Sequence, residues 1–127
     1  MRVTGTAVSL TVRDPSASSR FLQEHFGFRE AMAADGFASL TRDDVGVHVV
    51  LLVEGMPTLP EAQRVPVSGG LILAFEVEDL EGELARLQAE GVAITMPLTV
   101  EEWGERAFQV QDPNGVVVQL VDWAAAA

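Results

Sequence analysis

Apolar side chains recur along this chain at two distinct periods, and the switches between them mark out its elements. Val8, Leu10 and Val12 alternate with Ala7, Ser9 and Thr11, the period of two expected of a strand with unlike faces. After Asp14 the spacing lengthens, and Ala17, Phe21, Leu22 and Phe26 fall on one side of a helix. Asp14 is placed to cap that helix, Pro15 suits its first position, and Gly27 stops it. Three short strands are predicted near 28–33, 37–42 and 46–54, with Asp35-Gly36 and Asp43-Asp44 as the turns between them. Residues 55–69, carrying Pro57, Pro60 and Pro66 and ending at Gly69-Gly70, read as a connection. The same order then begins again. A strand is predicted at 71–77, followed by a helix capped by Asp79, with Leu80, Leu84 and Leu87 on one face and Gly91 at its end. Further strands are expected near 92–95, 105–111 and 115–122.

The chain therefore reads as a duplicated βαβββ unit within a single domain, 1–127. The first module covers 1–54, the connection 55–69, the second module 70–123, and a C-terminal tail 124–127. Local wording supports the duplication: Val12-Arg13-Asp14 parallels Val77-Glu78-Asp79. The closing strands, Val49-Val50-Leu51-Leu52-Val53-Glu54 and Val117-Val118-Gln119-Leu120-Val121-Asp122, align with one apolar-to-polar change, Leu51 against Gln119.

Composition narrows the chemistry. A chain of 127 residues, 48% hydrophobic and 21% charged, is long enough to bury a core without staples, and it contains no cysteine. That excludes disulfides, thiolate zinc sites and cysteine nucleophiles, leaving carboxylates, hydroxyls, two tryptophans and the histidines His25 and His48. Eight arginines against nineteen acids give a formal charge of −11, a field that repels phosphate backbones and anionic membranes. Nucleic acid and membrane are not expected partners. The same field would attract a cationic ligand, or it serves solubility alone. No apolar stretch is long enough to span a bilayer, and residues 1–13 lack the form of a signal peptide, so a cytoplasmic protein is expected.

Four segments occur in order on this duplicated frame: Val8-Ser9-Leu10-Thr11-Val12-Arg13-Asp14; Phe26-Gly27-Phe28; Ala74-Phe75-Glu76-Val77-Glu78-Asp79-Leu80; and Trp103-Gly104-Glu105-Arg106 followed by Asp112-Pro113-Asn114-Gly115. Together they resemble the vicinal oxygen chelate superfamily, which includes glyoxalase I, extradiol dioxygenases and the bleomycin-resistance proteins. The resemblance implies an α+β fold in which two βαβββ modules form a curved, cleft-enclosing mixed sheet, the modules meeting within one chain or across a dimer. It also implies where metal-dependent members carry ligands: Ala7, Leu51, Ile72 and Gln119. Three of these are aliphatic, and a lone amide oxygen does not hold a catalytic metal, so neither metal nor cofactor is expected and the likeness is to the metal-free, bleomycin-resistance-like branch. His48 and Glu54, an odd number of residues from Leu51, are expected to face away from the cleft, and His25 to cap the first helix.

Counting in twos from those positions, the cleft would be lined by Ala7, Ser9 and Thr11; Val49, Leu51 and Val53; Ile72, Ala74 and Glu76; and Val117, Gln119 and Val121. Phe37, Phe108 and Trp103 are the aromatic candidates for stacking on a flat ligand. Alternatively, the apolar members fill a dimer core or a closed sheet, Trp103 plugs the barrel end, and Trp123 makes a dimer contact. Glu76 is either an exposed strand end or a general base, and Arg106 pairs with a ligand acid or a neighbouring carboxylate. The leading expectation is a homodimeric binding protein that sequesters a hydrophobic or aromatic natural product, as bleomycin-resistance proteins do. The alternative is a metal-free lyase or isomerase using Glu76 as base, with Gln119 or Arg106 stabilising an oxyanion. A metal-dependent glyoxalase or dioxygenase would require a different strand register.

Overall fold

Asp14 ends the first alternation and starts a helix. In the computed structural model, β1 (Ala7–Val12) leads into α1 (Pro15–Phe26), whose Ala17 amide donates to Asp14 Oδ1 at 3.3 Å. Gly27 closes α1 in the left-handed region, φ 66°, where a side chain would be strained and its Cβ would come within 2.7 Å of Arg42 Nη1. That Arg42 nitrogen donates to the Phe26 carbonyl, satisfying one of the groups a helix leaves unpaired at its end. Residues 1–123 are described; the expected tail, 124–127, lies outside them.

β2 (Arg29–Ala34), β3 (Phe37–Thr41) and β4 (His48–Val53) complete a four-stranded sheet in the order β1-β4-β3-β2, with β1 parallel to β4 and the other pairs antiparallel. The second half repeats it: β5 (Ile72–Glu76), α2 (Leu80–Ala89), β6 (Ile94–Val100), β7 (Glu105–Gln111) and β8 (Val117–Trp123) form a sheet ordered β5-β8-β7-β6. These are two βαβββ units with two mixed sheets, as the duplicated pattern implies. The chain divides into two compact units at Ser68 and Gly69.

Each unit builds its own core from one helix and one sheet face. In the first, Leu22 and Phe26 of α1 are buried with Leu10, Val12, Leu40, Val49 and Leu51. Ser18 and Ser19, also buried, extend the helix stripe beyond its apolar residues, and Ser19 Oγ donates to Glu30 Oε2 at 2.7 Å. A small hydroxyl lets helix and sheet approach while keeping its hydrogen bond. In the second unit Leu80 and Leu87 of α2 are buried, as are Phe108, Val110, Val118 and Leu120 of the sheet.

Residues 55–68 belong to the first unit, and a short 3-10 turn, Glu61–Gln63, brings the chain back along β1. There Val67 N donates to the Thr11 carbonyl at 2.8 Å and Thr11 Oγ1 to the Gln63 carbonyl at 2.7 Å, covering part of an edge strand. β6 runs to Val100, well past the expected 95, through Pro97. Proline suggested an end, but β6 is an edge strand with irregular register around Met96 and Thr99, where a missing amide donor is tolerated.

Candidate functional site

Residues paired across neighbouring strands share a face, so the registers decide which side chains lie away from the helices. In the first sheet Ala7 is beside His48, Ser9 beside Val50, and Thr11 beside Leu52; Leu10 is beside Leu51. Leu10 and Leu51 are both buried, and so is Val49, which pairs with Leu40 on β3. The helix-free face therefore carries Ala7, Ser9 and Thr11 with His48, Val50 and Leu52, and Phe37 joins it opposite Leu52.

This corrects the phase assigned to β4. Val49 and Leu51, expected on the same face as Ser9, sit on the other one, 2% and 1% exposed in the core under α1; Val53 goes with them by alternation. His48, expected to face away, is an exposed residue on the helix-free face. The residue equivalent to Gln119 is Val50, not Leu51: Ser9 pairs with Val50 as Ala74 pairs with Gln119. A run apolar at every position from Val49 to Val53 carries no phase of its own. Its polar ends do, because His48 and Glu54 fall on the even-numbered side with Val50 and Leu52.

In the second sheet the alternation read from sequence gives the observed face. Ile72, Ala74 and Glu76 pair with Val117, Gln119 and Val121, and these continue across to Gln111, Gln109 and Ala107. Phe108 does not belong with them. It pairs with Leu120 and is wholly buried on the helix side, so it is a core residue, not part of this face. Across the middle of the helix-free face, Ala74, Gln119, Gln109 and Met96 form one row over all four strands, and Gln109 Nε2 donates to Gln119 Oε1 at 2.8 Å. Gln109 and Met96 were not singled out in the sequence; the signal for Gln109 was its polar place in a strand otherwise closing on buried Phe108 and Val110.

Glu76 is the last residue of β5 and exposed. Arg106, its suggested partner in oxyanion stabilisation, lies on the opposite face, opposite Asp122. Its Nε and Nη2 donate to Asp122 Oδ1 and Oδ2 at 2.7 and 2.5 Å, and Nη1 donates to Glu81 in the first turn of α2. Hydrogen bonds from Asp122 and then Glu81 raise the Arg106 pKa, and the Arg106 bond lowers that of Glu81. Arg106 thus pins α2 to the sheet. Because Glu81 is depressed in the folded state, its contribution to stability is present above its ordinary value of 4.5 and is lost as pH falls through the lower folded value. We expect Arg106→Leu to lower the thermal midpoint by a few degrees at neutral pH, with the gap from the parent narrowing below about pH 4. Melts monitored by circular dichroism across that range check it; a constant gap would mean that the ion pair contributes nothing.

Trp103 stands at the tip of the β6–β7 hairpin with 66% of its surface exposed, and Trp123 ends β8 opposite Glu105, also exposed. Packed inside neither unit, Trp103 does not plug its own sheet. His25 packs edge-on against Phe21, with ring centroids 5.1 Å apart.

The family's metal positions, transferred with the observed register, are Ala7, Val50, Ile72 and Gln119. Methyl, isopropyl and butyl groups offer no lone pair and Gln119 only one neutral amide oxygen, so these residues do not fit a metal centre. Among the described residues, no group of three or more His, Cys, Asp or Glu is placed to hold a metal ion. No helix among them is long and apolar enough to cross a membrane.

Comparison with known proteins meets the same frame. The family profile of the Glyoxalase/Bleomycin resistance protein/Dioxygenase superfamily matches residues 6–120. The chain belongs to this superfamily. Within it, a glyoxalase/bleomycin resistance protein/dioxygenase from Nocardioides superposes with a TM-score of 0.77 at 23% identity, covering 100% of this chain and 87% of that one. TnmS3, an antibiotic binding protein from Streptomyces sp. CB03234, is 25% identical with a TM-score of 0.73, covering 98% and 99% of the two chains. TioX from Micromonospora sp. ML1 is 26% identical with a TM-score of 0.70, covering 95% and 99%. Comparison with curated proteins gave no match.

Proposed function

We propose that this superfamily member is a metal-independent binding protein that sequesters a toxic hydrophobic or aromatic natural product, unaltered, in clefts of a homodimer. The observation that carries the reading is the composition of the helix-free faces. Where metal enzymes of the family need nitrogen and carboxylate ligands, this chain presents Ala7, Val50 and Ile72 with one neutral amide, Gln119. A largely apolar wall with a few polar groups gains affinity from burial and orientation from its hydrogen bonds, without a catalytic constellation. Ser9, Thr11 and Phe37 on the first sheet, Ala74, Glu76 and Gln119 on the second, and the exposed Trp103 are the proposed contacts. The likeness to TnmS3, an antibiotic binding protein, supports the same class of ligand.

Native mass spectrometry after incubation with DNA-damaging and polycyclic antibiotics tests this directly. A dimer carrying two drug molecules of unchanged mass is the expected spectrum. A stoichiometric bound metal, or a drug released with altered mass, would replace sequestration with an enzymatic reading.

A further inference from the structure

The two halves of the chain place different side chains at one equivalent row. In the first sheet the helix-free row is Ser9, Val50, Ser39 and Met32; in the second it is Ala74, Gln119, Gln109 and Met96. Strand order and direction are the same in both, so the sheet is built as well with Val50 and Ser39 as with two glutamines. Glutamine adds no intrinsic preference for a strand over valine, and its amide must be hydrogen-bonded wherever water is displaced.

The pair makes one hydrogen bond, from Gln109 Nε2 to Gln119 Oε1. That bond occupies one lone pair of Gln119 Oε1 and leaves the Gln119 amino group as a donor and the Gln109 carbonyl oxygen as an acceptor. Both side chains are half-buried, flanked in the row by the small Ala74 and the thioether of Met96. A neutral donor and a neutral acceptor on two paired residues match a group that offers the complementary pair. A lactam or imide does so: its N–H can donate to Gln109 Oε1 while its C=O accepts from Gln119 Nε2.

Resting on the binding function proposed above, we infer that Gln109 and Gln119 form a neutral recognition edge that selects planar ligands carrying a lactam or imide group. The formal charge is compatible with a neutral ligand. A protein of formal charge −11 disfavours an anion, and a neutral pair binds its complement without desolvating a charge.

The test uses a matched pair of flat probes, 1,8-naphthalimide and N-methyl-1,8-naphthalimide, titrated by fluorescence against the whole protein. The parent is expected to favour the N–H imide by about tenfold, the value of one to two hydrogen bonds. Gln119→Val removes a donor that the carbonyls of both probes share and should weaken both by about threefold, whereas the double variant Gln109→Ser, Gln119→Val, which installs the pair used by the first sheet, should abolish the preference itself. Circular dichroism melts confirm that the variants fold. Equal binding of both probes by the parent overturns the inference, and so does a preference that survives in the double variant, because its origin would then be steric. If neither probe binds but an antibiotic does in the mass-spectrometric panel, the recognition edge is refuted while sequestration stands. If nothing binds in either experiment, both readings fall.

Discussion

Phe108→Ala is expected to lower the free energy of unfolding by about 3–5 kcal/mol while leaving the ligand affinity of the folded protein within about twofold of the parent. The side chain is completely buried, stands opposite Leu120, and shares the helix side of β7 with buried Val110. Truncation removes a ring from a face that α2 covers and leaves a cavity the backbone cannot close, the combination behind the largest core penalties. Domains of this size are commonly stable by roughly 5–15 kcal/mol, so the variant would lose about a fifth or more of its margin. Urea unfolding at equilibrium gives the first quantity, and titration well below the variant's melting temperature the second. A variant of unchanged stability and weakened binding would put Phe108 back on the ligand face and reverse the assignment made for β7.

Leu51→Gln and Val50→Gln, substitutions one residue apart, should separate by several kcal/mol. Aligned by wording, the closing strands set Leu51 against Gln119, and glutamine at 51 looks like an exchange between halves. The registers say otherwise. Leu51 lies beside Leu10 under α1 and is 1% exposed, so glutamine there forfeits about 2 kcal/mol of apolar burial and adds the cost of an unpartnered amide, about 1–3 kcal/mol. Val50 lies beside Ser9 on the helix-free face, half-buried, where glutamine has room to reach water; a change within about 1 kcal/mol is expected. Denaturant midpoints of the two variants decide it. Similar losses in both would mean that β4 does not have one buried and one accessible face.

Much of the architecture was legible in local chemistry. Asp14, Pro15 and Gly27 delimit α1 because capping, a preset φ and a left-handed stop are properties of single residues. The duplicated order was legible because it repeats both period and wording. β5 and β8 were phased correctly, since Glu76 at the end of one and Gln119 in the middle of the other break the apolar run and mark the accessible side. β4 was not, because five consecutive apolar residues satisfy either phase equally well. Phe108 was misassigned for a related reason: an aromatic ring is as suited to a core as to a stacking wall, and composition does not distinguish them.

By itself, then, the amino-acid sequence determined the element order, the caps, the duplication and the residue types present at the family's metal positions, because each depends on near neighbours or on a count. Tertiary structure alone decided which side of β4 and β7 is covered, that His48 shares a face with Ala7, that Arg106 is spent holding α2, and that Gln109 meets Gln119. These are facts of pairing between strands distant in sequence. A shift of one residue in such a pairing exchanges every side chain between core and surface, and no local property of the chain records which register the packed helix selects.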